Sequence, residues 1–140
     1  MSSSSLKGSC LCGAIKYEVT SILPQMAHCH CTMCRKFHGA AFATFGVARS
    51  ADFKWLQGKE KLKTYRADNG AARQFCEDCG SSLTFAASDC DGLFVEFSLG
   101  TLDSPLAIKP DAHIYCRYKA DWYEPNDALP KFPEGRDSSE

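Results

Sequence analysis

One hundred and forty residues, 44% of them hydrophobic, are enough for one domain with its own core. Sixteen basic residues stand against seventeen acidic ones, and no basic run exceeds two, which excludes a chain built to coat nucleic acid. No apolar stretch reaches membrane-span length, and MSSSSLKGSC has no apolar signal core, so the expectation is a soluble cytoplasmic protein without a membrane partner.

In chain order, residues 1–6 read as a tail, with Ser2 to Ser5 of low complexity. Cys10-Leu11-Cys12-Gly13 follows, just before a strand over Ala14 to Val19, where Ile15, Tyr17 and Val19 alternate with Lys16 and Glu18. The dense segment HCHCTMCRKFHG spans residues 28–39, and one helical turn is expected after Cys31. Ala41 to Val47 is apolar almost throughout, as in a strand buried on both faces. Asp52 to Leu56, Leu62 to Arg66 and Ala72 to Phe75 predict further strands. Asn69-Gly70 between the last two predicts a tight hairpin, which needs positive φ. Leu93 to Leu99 and His113 to Lys119 complete the strands, and 134–140 reads as a frayed end. The fold class is mostly β.

Nine cysteines set the chemistry. Their count is odd, and C-x-C and C-x-x-C spacings in a reducing compartment favour zinc over disulfides. On extended chain Cys10 and Cys12 face one side, so both thiolates reach one ion. Cys76-Glu77-Asp78-Cys79-Gly80 has zinc-knuckle spacing, and Gly80 supplies the left-handed conformation that such a turn requires. Each pair is half a tetrahedron. Together they make a closed structural zinc site of four thiolates, Cys10, Cys12, Cys76 and Cys79.

Cys29, Cys31 and Cys34 remain, three thiols where a closed site needs four. Three protein ligands with one open position is the pattern of catalytic zinc. Three thiolates make the ion a weak activator of water and a better acceptor of a fourth soft ligand, such as a substrate thiol. The alternative is a second structural zinc closed by another protein ligand. His38 is the candidate for that, because a helical turn puts it on one face with Cys34; it is equally a candidate proton carrier. His28 and His30 face away from Cys29 and Cys31 on extended chain and read as supporting or core residues. Arg35 and Lys36 follow the third thiol and are placed to balance its charge or bind a carboxylate. Cys90 reads as a free thiol in a polar turn, and Cys116 as a small buried residue. Phe37, Phe42 and Phe45 read as core.

GSCLCGAIKYEV, CHCTMCRKFHGAAF, FCEDCGSSL and HIYCRYKADWYEPNDALPKF resemble the glutathione-dependent formaldehyde-activating enzyme family, which includes centromere protein V. The resemblance covers a single domain over 7–133. It implies a β-tent fold of small antiparallel sheets around two zinc ions. Cys10, Cys12, Cys76 and Cys79 would hold the structural ion, and Cys29, Cys31 and Cys34 the active-site ion. The implied activity joins glutathione and formaldehyde into S-hydroxymethylglutathione, a carbon–sulfur lyase reaction run in reverse. The expected substrate is therefore a small-molecule thiol, glutathione or another. Substrates vary more than metal sites within a fold, so two further readings stand beside it. One is a zinc-stabilised enzyme on a non-glutathione substrate; the other is a non-catalytic zinc-binding interaction module.

Overall fold

The computed structural model describes residues 5–138. Its strands are β1 (Leu6–Ser9), β2 (Lys16–Val19), β3 (Ala27–Cys29), β4 (Ala43–Arg49), β5 (Phe53–Gln57), β6 (Leu62–Arg66), β7 (Ala72–Cys76), β8 (Ser82–Ala86), β9 (Phe94–Ser98) and β10 (Ala112–Ile114). One helix, α1 (Thr32–His38), follows β3. The expected mostly β class is what the chain adopts. Two compact units divide it, residues 1–24 with 46–107 and residues 25–45 with 108–140.

In the first unit β1, β2 and β5 form an antiparallel sheet in that order. Tyr17 of β2 is buried and stacks on Phe53 at 5.1 Å, while Phe97 of β9 lies 5.7 Å from the same ring. These rings, with Ile15, Val19 and Leu83, form the core. Aromatic rings bury much area per residue, which suits a core made of short strands. Gly8 makes this packing possible: a Cβ there would meet the Tyr17 ring. The second sheet of this unit carries β9, β8, β7 and β6 in order, from β4 outward. The Asn69-Gly70 hairpin joins β6 to β7 as expected, with Gly70 at φ 89°.

In the second unit β3 lies between β10 and β4, parallel to β10 and antiparallel to β4. Three expectations need correction. The strand at His113 to Lys119 ends at Ile114: Tyr115 turns left-handed at φ 56° and Cys116–Tyr118 coils into a 3-10 turn. Cys116 is consequently half-buried rather than buried. The helix after Cys31 runs for seven residues, ended by Gly39 at φ 60°. Hydrogen bonds and an ion pair also involve residues near both ends of the described chain. Leu6 is already paired with Val19, and the Glu134 carbonyl accepts a hydrogen bond from the Tyr115 amide at 2.8 Å. Arg136 pairs with Asp111 at 2.5 Å. The rest of the expected tails, residues 1–4, 139 and 140, lies outside the described residues.

Candidate functional site

The first unit brings Cys10, Cys12, Cys76 and Cys79 together, with all four sulfurs within 4.8 Å of one another. The C-x-C segment does this as a turn, not as the extended chain expected. The Gly13 amide donates to the Cys10 carbonyl at 3.0 Å, and Gly13 sits at φ 81°. The second pair closes the same way, with the Gly80 amide donating to the Cys76 carbonyl at 2.8 Å. Sulfurs of Cys10 and Cys12 are 3.7 Å apart, and those of Cys12 and Cys76 3.9 Å. A tetrahedral ion with metal–sulfur bonds of about 2.3 Å needs its ligands about 3.8 Å apart. These spacings fit that ion, and they are far too long for a disulfide.

Backbone donors face the sulfurs. The Ile15 amide donates to Cys10 Sγ at 3.3 Å and the Asp78 amide to Cys76 Sγ at 3.4 Å. At Cys76 burial outweighs these amides and pushes the free thiol up, so its amide bonds serve a metal-bound thiolate. At Cys79 burial opposes ionisation, but the Ser81 hydroxyl and amide outweigh it and hold the thiol down to about 6. Ser81 Oγ in turn accepts from the Leu11 amide at 2.8 Å, tying the two pairs together.

The second unit brings Cys29, Cys31 and Cys34 within the same 4.8 Å limit. Cys29 ends β3, Cys31 caps α1, and Cys34 lies in the first turn of the helix. The Cys34 amide donates to Cys31 Sγ at 3.3 Å, the bond that an N-cap side chain makes to the third helical residue. The C-x-x-C spacing is thus satisfied by a helix start here and by a reverse turn at Cys76. The Cys31 and Cys34 thiols crowd Cys29, and with burial they push it well above the ordinary thiol range. Three thiols this close become thiolates only with a cation to share, and three soft donors fit zinc with one coordination position unassigned to protein.

No histidine joins this group among the described residues. His38 packs edge-on against Phe45 at 5.6 Å. The buried Phe45 and the half-buried Phe37 and Phe42 take the packing roles expected of them. The guanidinium Nε of Arg35 is buried without a hydrogen-bond partner, whereas Lys36 is exposed. Cys90 is exposed and lies outside both clusters, as does Cys116. Tyr115 stands beside the cluster, its phenol pushed up by burial first and then by Cys29 and Cys31. Its left-handed backbone is a strained choice for an aromatic residue.

A polar network beside the cluster escaped sequence reasoning. His30, fully buried between two of the cysteines, bonds through Nε2 to His113 Nδ1 at 2.8 Å. His113 Nε2 then meets Asp127 Oδ2 at 2.9 Å. Burial first, and the neighbouring His113, His28, Lys119 and Arg35, hold His30 down to about 4. The HCHC motif placed His30 on the face opposite the cysteines, but no spacing in the sequence links it to a histidine and an aspartate more than eighty residues later.

Residues 5–118 match the family described as "Glutathione-dependent formaldehyde-activating enzyme". A Halomonas elongata protein named "Putative glutathione-dependent formaldehyde-activating enzyme" is 31% identical over 126 residues, covering 85% of this chain and 80% of its own. An uncharacterized lyase of Schizosaccharomyces pombe is 31% identical over 80 residues, covering 57% of this chain and 56% of its own. A crystal structure of a Rhodobacter sphaeroides protein shares the fold at a TM-score of 0.61 and 25% identity, over 89% of this chain and 98% of that one. Among the described residues, no helix is long and apolar enough to cross a membrane. With the profile match spanning most of its length and both cysteine clusters in place, this chain belongs to the glutathione-dependent formaldehyde-activating enzyme family.

Proposed function

We propose that the chain is a zinc-dependent carbon–sulfur lyase acting on the thiol adduct of a small carbonyl, S-hydroxymethylglutathione being the leading substrate. Cys10, Cys12, Cys76 and Cys79 hold a structural zinc, and Cys29, Cys31 and Cys34 hold the active-site zinc. The observation that carries this reading is the pair of clusters themselves, one of four sulfurs and one of three. A four-thiolate shell is complete, whereas a three-thiolate shell accepts one more soft ligand.

When bound at Cys29, Cys31 and Cys34, zinc supplies a soft site that keeps a substrate sulfur as thiolate. In the lyase direction the carbon–sulfur bond of the hydroxymethyl adduct breaks and its electron pair stays on sulfur. The hydroxyl loses its proton, which sulfur regains, so glutathione and formaldehyde leave. The residues of the chain set the geometry. Arg35, directly after the third ligand, orients a substrate carboxylate, and His38 on the same helix carries a proton. Charge-assisted bonds of the Arg–carboxylate kind are strong and directional. The compartment is the cytoplasm, where glutathione is abundant and these thiols stay reduced.

The test is X-ray absorption at the zinc edge with turnover measured in parallel. Glutathione should add sulfur to one of the two ions, and Cys31→Ala should abolish both the added sulfur and the turnover of S-hydroxymethylglutathione. If neither glutathione nor other small thiols alter the zinc environment, the lyase reading is lost.

A further inference from the structure

Tyr115 is the one non-glycine residue with positive φ among the described residues, at φ 56° and ψ 37°. That conformation is costly for a bulky side chain, whereas glycine takes it freely. The backbone is held from both sides. The Tyr115 amide donates to the Glu134 carbonyl at 2.8 Å, and the Tyr115 carbonyl accepts from the Tyr118 amide at 3.1 Å. Both are backbone bonds that any residue but proline could make, so the turn itself does not call for a phenol.

The register shows what the turn does to the side chain. β10 runs parallel to β3, with His113 beside His28 and Ile114 beside Cys29. Side chains alternate along a strand, so the two histidines share one face, their rings 4.8 Å apart, and Cys29 shares the other with Ile114. An extended Tyr115 would lie on the histidine face. Going from the parallel-strand φ of about −120° to 56° swings the side chain about half a turn around N–Cα, off that face. The ladder closes just before this point, where the His30 amide donates to the Ile114 carbonyl at 2.9 Å. Tyr115 therefore leaves the strand level with the segment that carries Cys29 and Cys31. The phenol is half-buried there, and the charge of both cysteines acts on it.

We propose that Tyr115 is a substrate-contacting residue of the three-cysteine site, its phenol O–H donating to the oxygen of the adduct whose sulfur that site takes. The proposal rests on the lyase reading and names the group that meets the second reacting atom. Three sulfurs suit a sulfur ligand and offer no donor to an oxygen; a phenol beside them supplies one. In the lyase direction the adduct oxygen gives up its hydrogen and becomes the carbonyl oxygen of formaldehyde as the carbon–sulfur bond breaks. A donor fixed on that oxygen favours the charge that develops there, and the phenol keeps its own hydrogen throughout. Glutathione carries no oxygen on the carbon bound to its sulfur, so this contact separates the adduct from the free thiol.

The experiment compares zinc-loaded full-length wild type with Tyr115→Phe, which keeps the ring and removes the hydroxyl. The variant should hold two zinc ions and still gain zinc-bound sulfur from glutathione, while kcat for S-hydroxymethylglutathione falls about 100-fold. A kcat close to wild type overturns the proposal. Loss of zinc, or of the sulfur that glutathione adds, assigns the hydroxyl to a cysteine sulfur instead and overturns it too. A variant that does not fold shows that the hydroxyl serves the fold, with the same result. In each of these cases the lyase reading survives if wild type gains the sulfur and turns over the adduct. If wild type does neither, the lyase reading fails and the proposal falls with it.

Discussion

Four thiols in one unit and three in the other make the sharpest contrast in this molecule. The first cluster joins residues some sixty positions apart, so an ion there closes a long loop and ties the start of β2 to the end of β7. Each half is a turn with a glycine at its end and amides aimed at sulfur. The second cluster gathers its ligands from six consecutive residues, held by a strand end and a capped helix that hydrogen bonds already define. An ion in the first cluster therefore contributes to folding, and an ion in the second adds little beyond the local structure. On the proposed function, the long-range four-thiol shell serves architecture and the local three-thiol shell serves chemistry.

The largest expected effect breaks the first region. Cys76→Ser should abolish cooperative unfolding or lower Tm by tens of degrees, because metal binding at such sites supplies about 10 kcal/mol or more. Calorimetry with and without added zinc measures it. Cys31→Ala should do the converse, losing one zinc of two and all turnover with Tm lowered by only about 2–8 °C. Equal Tm losses in the two variants would erase the distinction drawn between the regions.

Acid sharpens the contrast next. Protons compete with metal for thiolates, so the shell with fewer thiolates releases its ion at the higher pH. Raised thiols occur in both clusters, Cys12 and Cys76 in the first and Cys29 in the second, but the first has four sulfurs to hold its ion, with Cys79 held down to about 6, and the second has three. As pH falls from neutrality, the three-thiol ion should leave first and turnover should disappear while the fold persists. Zinc release followed with a chromophoric chelator beside circular dichroism checks the order. The smallest effect concerns the exposed Cys90, outside both regions. Cys90→Ser should leave zinc content unchanged and stability within about 0.5 kcal/mol of wild type, by the same assays.

The clusters were legible in the sequence because ligand spacing is local chemistry. C-x-C and C-x-x-C pairs announce themselves whatever backbone carries them. Which backbone it is was harder: extended chain and reverse turn both bring Cys10 and Cys12 sulfurs together, and the turn is what forms. Strands with clear alternation or a strong turn signal, such as β2 and the Asn69-Gly70 hairpin, could be read. Short strands such as β3 and β10 could not be bounded, since three residues carry no periodicity and their pairing is set by long-range partners. The same limit hid the Asp127–His113–His30 chain. Its members share no spacing and meet only because the 127–132 segment bonds along β10, where the Phe132 amide donates to the His113 carbonyl at 2.9 Å.

Zinc-edge X-ray absorption on the fully loaded protein, before and after glutathione, tests the central claim that one shell is closed and the other open. The account predicts an average sulfur count per zinc between three and four, rising to four when glutathione is added. An average of four at the outset with no change on addition would mean that both shells are closed by protein, and the open-site account would be wrong.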